Sequence, residues 1–123
     1  MTFRWPCAVF AIVALTSVSP LLAHHSFAMF DRDKQVTLRG EVIELQWTNP
    51  HIWIELAVVE NGKKVIYSLE GASPNALVRR GWKRSTLRPG MQITVVMNPL
   101  RSGGHGGAFA RATLPDGTVV SNN

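Results

Sequence analysis

The sequence predicts an all-β domain with one short helix, folded as a small five-stranded Greek-key barrel. Three observations carry that reading. Apolar residues alternate in several short runs, the first run is long and interrupted by a glycine, and one helical segment falls between the third and fourth runs.

The first run, Val36–Trp47, alternates around Gly40 and changes face between Gly40 and Ile43. A glycine at such a point predicts a bulge or sharp bend, the device by which small barrels turn corners. Thr48-Asn49-Pro50 reads as a turn. From His51 to Glu60 the alternation is clean: Ile52, Ile54, Leu56 and Val58 share one face, and His51, Trp53, Glu55 and Ala57 the other. Asn61-Gly62 between apolar runs is a strong hairpin signal, joining that strand to Val65–Glu70. Ser73-Pro74 then supplies a helix N-cap and a proline for the first helical position. Asn75–Arg80 follows, with Gly81 where a C-cap glycine belongs. About two helical turns are expected, with Arg79 and Arg80 in the last one. Leu87–Gly90 turns the chain into Gln92–Met97, Asn98-Pro99 stops that strand, Ser102–Gly107 is a glycine-rich loop read as mobile, and Ala108–Leu114 is the last strand.

This order matches a barrel of the oligonucleotide/oligosaccharide-binding (OB-like) type, with its helix between strands three and four. A half-open β-sandwich is the alternative. No repeat is present, so solenoid folds are excluded.

The first 23 residues read as a cleavable signal peptide: Arg4 gives a positive start, Cys7–Leu15 an apolar stretch, and Ala23 a small residue before the cut. The expected organisation is residues 1–23 signal, 24–34 N-terminal arm, 35–117 barrel and 118–123 C-terminal tail. Such a protein is expected in the periplasm or secreted, with no transmembrane span in its mature chain. With 46% apolar and 17% charged residues the chain can bury a core, and it is too short for a multidomain enzyme. The only cysteine, Cys7, lies inside the signal, so the mature chain offers neither a disulfide nor a thiolate.

Several strings are specific: HHSFAMFD, the run Trp47–Ile54 (WTNPHIWI), Glu70–Leu77 (EGASPNAL), Arg79–Trp82 (RRGW), Leu87–Gly90 (LRPG) and Thr113–Gly117 (TLPDG). On these the chain resembles a family of small exported bacterial proteins of unknown function. The resemblance covers nearly the whole mature chain. It implies an exported, β-rich single domain in which His24, His25, Asn49, Pro50 and His51 belong to the shared pattern, and it transfers no activity.

The sharpest chemical feature is the new N-terminus. After cleavage at Ala23, His24 would present its α-amine and imidazole Nδ1 to one cation. That amine has a pKa of about 7.7–8.0, so a cation displaces its proton near neutral pH. A third nitrogen from His25, His51 or His105 would complete a planar set, and imidazole-rich, thiolate-free sites suit Cu(II). His105, in the glycine-rich stretch, is the weaker candidate. A cut after Leu22 would instead place a histidine third, where deprotonated backbone amides also capture Cu(II). Copper is therefore the expected cofactor, if any, with His24, His25 and His51 as its ligands. Histidines near a cut site can also be plain solvated arm residues. His51 shares a strand face with Trp53 and Glu55, and Glu55 could orient its imidazole. A face merely covered by the arm is the competing reading.

Without Arg4, 12 basic residues stand against 8 acids, a net charge of +4. Arg79, Arg80, Lys83, Arg84 and Arg88 fall within ten positions. On an exported protein, this patch suits an anionic glycan, anionic lipid or acidic protein rather than nucleic acid. A solvated helix end is the bland alternative. Asn49, Trp53, Glu55 and the four cations Arg79, Arg80, Lys83 and Arg84 form the candidate ligand or partner surface. Trp47, Trp53 and Trp82 could stack on flat ligands, although tryptophans of small barrels more often complete the core. Glu70 invites a general-base role, but no nucleophile pairs with it, Ser73 reads as a cap, and the acids are too few for a hydrolase. No enzyme is predicted; a copper-dependent oxidase would need an open coordination position in addition to the histidines.

Overall fold

The computed structural model describes residues 28–123. The elements run β1 (Val36–Gln46), β2 (Trp53–Glu60), β3 (Lys63–Glu70), α1 (Pro74–Val78), β4 (Gln92–Pro99), β5 (Gly106–Thr113) and β6 (Val119–Ser121). The sheet order is β3-β2-β1-β4-β5-β6, and a parallel pairing of β3 with β5 closes the first five strands into a barrel. That closure decides against the open sandwich. The signal segment and His24, His25 and Phe27 lie outside the described residues.

β1 serves two partners. Its first half, Val36–Glu41, pairs with β4, and Glu41–Gln46 pairs with β2 across a register shift between Val42 and Glu44. The bulge therefore falls at Ile43. Gly40 does a neighbouring job, because a Cβ there would lie 2.4 Å from the Ala57 carbonyl oxygen. The β2–β3 hairpin turns on Asn61 and Gly62, both at positive φ, as a two-residue turn of this hand requires.

The alternation of β2 became the core. Ile52, Ile54 and Leu56 are fully buried, alongside Val42, Leu69, Leu77 and Val95. Burying each such side chain is worth about 1.5–3 kcal/mol, which is how a chain this small holds a closed sheet. Phe30 docks on the same body: it is buried and bridges to Leu100.

The helix starts as expected, with Ser73 Oγ accepting from the Ala76 amide and Pro74 in the first position. It is only five residues long, and Arg79 already serves as its cap. The two arginines therefore follow the helix and do not lie in its last turn. The end is closed by paired bonds, Gly81 N–H to the Val78 carbonyl and Trp82 N–H to the Leu77 carbonyl, each 3.0 Å. This is the Schellman pattern, with the apolar contact it usually carries supplied by buried Trp82 and Leu77.

Two further segments differ from their sequence reading. Gly106 and Gly107 begin β5 and are buried, so the glycines there serve strand packing. A Cβ on Gly107 would sit 2.4 Å from the Asn98 carbonyl oxygen, and one on Gly106 2.8 Å from that of Ser68. The expected tail, 118–123, contains β6, which pairs with β5. Beyond it, Asn122 Oδ1 accepts from the Ala72 amide at 2.7 Å.

Candidate functional site

A cavity of about 280 Å³ opens where β3 runs into α1. Its walls come from separate parts of the chain: Phe30 before β1, His51 before β2, Glu70 and Gly71 at the end of β3, Ser73 at the helix cap, and Asn122 after β6.

His51 is the chemical centre of this cavity. Its Nδ1 lies 2.9 Å from the Gly71 carbonyl oxygen. A carbonyl only accepts, so Nδ1 carries the proton and donates it, and Nε2 is left facing the cavity. There Nε2 lies 3.5 Å from Glu70 Oε1, with the two side chains 35% and 13% exposed. With Nδ1–H fixed by a backbone carbonyl, Nε2 can either take a proton and pair with the Glu70 carboxylate or offer its lone pair to a cation.

Strand register explains why these residues meet. Counting outward from the Asn61-Gly62 turn places Glu55 opposite Ser68 and Trp53 opposite Glu70. The ladder continues past the strand ends through Gly71 N–H to the Ile52 carbonyl and Ile52 N–H to the Ala72 carbonyl, both 3.0 Å. His51 is thereby delivered to Glu70 and Gly71. Glu55, the expected orienting group, sits four residues along an extended strand, about 13 Å away. It accepts from Ser68 Oγ instead, at 2.6 Å. Sequence reasoning missed Glu70 as the imidazole's neighbour, although the hairpin count puts it opposite Trp53 and so on the diagonal from His51. The Asn122 contribution carries no comparable signal.

The other candidates are placed as follows. Asn49 is exposed, and its peptide bond to Pro50 is cis. Trp53 is half-buried, and neither it nor Asn49 lines the cavity. Trp47 packs half-buried against the core. Trp82 is buried, donates Nε1–H to the Ser121 carbonyl at 3.0 Å, and meets Phe109 edge-on, so it is a core residue and no stacking platform. His105 is exposed and approaches Tyr67 edge-on, with ring centroids 5.2 Å apart. It does not line the cavity of His51. The Tyr67 hydroxyl donates to Glu60. That bond, followed by burial and the Glu60 charge, pushes the phenol up to about 12.

Among the described residues, no three His, Cys, Asp or Glu side chains converge as a metal cluster. A cation at His51 and Glu70 would therefore need further ligands beyond these two.

The basic segment is built differently. Arg79, Arg80, Lys83, Arg84 and Arg88 are all exposed. Among the described residues, none of the five cations is in an ion pair. From Gly71 to Pro115 the chain has seven basic residues and no acid. The backbone between the cations is nevertheless anchored, because Trp82 and Leu87 are buried and Lys83 N–H bonds to Thr86 Oγ1 at 2.8 Å.

The chain belongs to a family of unknown function, DUF6152, whose model matches residues 11–110. The matched span contains His51, Glu70 and the whole basic segment, and ends within β5. No curated protein and no solved structure matches the chain.

Proposed function

We propose that this chain is an exported, periplasmic binding protein that takes Cu(II) at the His51–Glu70 cavity. His24 and His25 of the mature N-terminus would complete the ligand set. The carrying observation is the oriented imidazole: Nδ1 tied to Gly71, and Nε2 3.5 Å from a carboxylate. Adjacent ligands each about 2.0–2.2 Å from one ion in a square plane lie about 3 Å apart, so His51 and Glu70 would close by about half an ångström on a bound Cu(II). Phe30 supports the reading from the other side. It lines the same cavity, and His25 is five residues before it, within about 17 Å of extended chain. A thiolate-free set richer in nitrogen than in carboxylate is one that Cu(II), the strongest binder of the divalent series, takes well. The reading is of a binding or accessory protein, with no reaction assigned.

The test is an intact-mass measurement and a Cu(II) titration on protein exported by its own signal and purified without an N-terminal tag. The expected result is a chain starting at His24 that binds one copper, lost on blocking the α-amine. Affinity should fall at least about tenfold in His51→Gln and in Glu70→Gln. Copper binding no tighter than that of a chain lacking His24 and His25 would overturn the proposal.

A further inference from the structure

We propose that the Arg79–Arg88 segment docks this protein on an anionic phospholipid surface. The inference is independent of copper. Five cations project within ten residues, and the fold supplies none of them with a carboxylate partner among the described residues. Like charges held together repel one another, and that cost is relieved by an anionic partner outside the chain. Four of the five are arginines, whose planar forks match phosphate oxygens in pairs.

The shape of the segment selects the kind of anion. The apolar residues Leu77, Trp82 and Leu87 point inward and are buried, and the cations between them are exposed along a short helix end and its following turn. An exposed, anchored turn whose cations line none of the cavities described fits a broad array of charges better than one small anion, which needs a concave site. Val78, adjoining Arg79, is 57% exposed. An apolar side chain beside arginines gains from contact with a lipid interface and gains nothing from a soluble polyanion. Among the described residues no helix is long and apolar enough to cross a membrane.

The experiment is co-sedimentation of the mature protein with phosphatidylcholine vesicles, with and without about 30 mol% phosphatidylglycerol. Binding is expected only to the anionic vesicles at about 50 mM salt and should be lost by about 500 mM. Arg79→Ala with Arg80→Ala, and separately Lys83→Ala with Arg84→Ala, should each weaken partition about thirty-fold. Val78→Ser should weaken vesicle binding and leave retention on a heparin column unchanged. A thermal melt of each variant checks that the fold is intact. Equal binding to neutral vesicles, full binding by the double variants, or retention on heparin without vesicle binding would each overturn the proposal. The last of these would identify a soluble polyanion as the partner.

Discussion

At the N-terminal end of α1, the His51 imidazole, Glu70 and the Ala72 amide all find partners from distant parts of the chain. At its C-terminal end, a helix of five residues away, five cations find none among the described residues. The first region is concave and closed by long-range contacts. The second is exposed, and is held by its buried apolar residues and by local backbone bonds such as Lys83 N–H to Thr86 Oγ1. Geometry governs what the first can bind, because a fixed imidazole selects by ligand position. Charge governs the second, so its interactions should fade with salt.

The largest effect should come from the anchor beneath the basic segment. Trp82→Ala removes a buried indole and its bond to Ser121, and should cost about 3–5 kcal/mol in chemical denaturation. It should also disturb the cavity, because β6 and Asn122 lie just beyond that bond. If copper affinity survives in folded Trp82→Ala, the two regions are more separate than the shared C-terminal strand implies.

Next is Gly71→Ala. A Cβ there would meet Ile52 Cγ1 at 2.6 Å, and Ile52 is fully buried. Overpacking of this kind should cost about 1–3 kcal/mol. It should weaken copper binding as well, because Gly71 holds the imidazole, while vesicle binding stays unchanged.

A smaller change is expected at the cap between the two regions. Ser73→Ala removes the acceptor for the Ala76 amide and should cost about 1 kcal/mol. Smallest are the cations themselves: Arg79→Ala with Arg80→Ala should alter stability by no more than about 0.5 kcal/mol. A larger loss would show that the arginines hold the fold together, which would end the contrast drawn above.

The Tyr67–Glu60 pair lies outside both regions and gives a control on pH. The phenol is pushed from 10.0 up to about 12, so the folded state favours its neutral form. Its contribution is complete below pH 10 and is lost as pH rises through about 12. Between those values the unfolding midpoint should fall more steeply for the wild type than for Tyr67→Phe.

Much of the barrel was legible in the chain. Alternation in His51–Glu60 identified the buried row, Asn61-Gly62 identified the hairpin, and Ser73-Pro74 with Gly81 marked both ends of the helix. These signals are local, because each depends on residues within a few positions of one another. Less local features were misread. The glycines at 106 and 107 resembled a mobile loop because composition cannot show that two backbones cross there. Residues 118–123 resembled a tail because a three-residue strand carries too little pattern to stand out.

The candidate site divides along the same line. His51 stands out in the sequence by its place beside Trp53 and Glu55 on one strand, while the hairpin register sets Glu70 opposite Trp53 and so diagonal to His51. A period of two tells which residues share a face, but residues four apart on that face are too distant to touch. Contact runs across and diagonally between paired strands, and that is why Glu70, opposite Trp53, meets the imidazole and Glu55 does not.

The sequence by itself determined the strand pattern, the hairpin, the helix cap and the crowding of cations after it. Short-range sterics and backbone hydrogen bonding dictate these wherever the chain goes. Tertiary structure alone decided that β3 and β5 close the barrel. It also brought Phe30, Asn122 and Glu70 to one cavity, and left the five cations after the helix without an ion pair among the described residues. Those outcomes depend on which distant segments become neighbours, and the buried core sets that, not any residue's own preference.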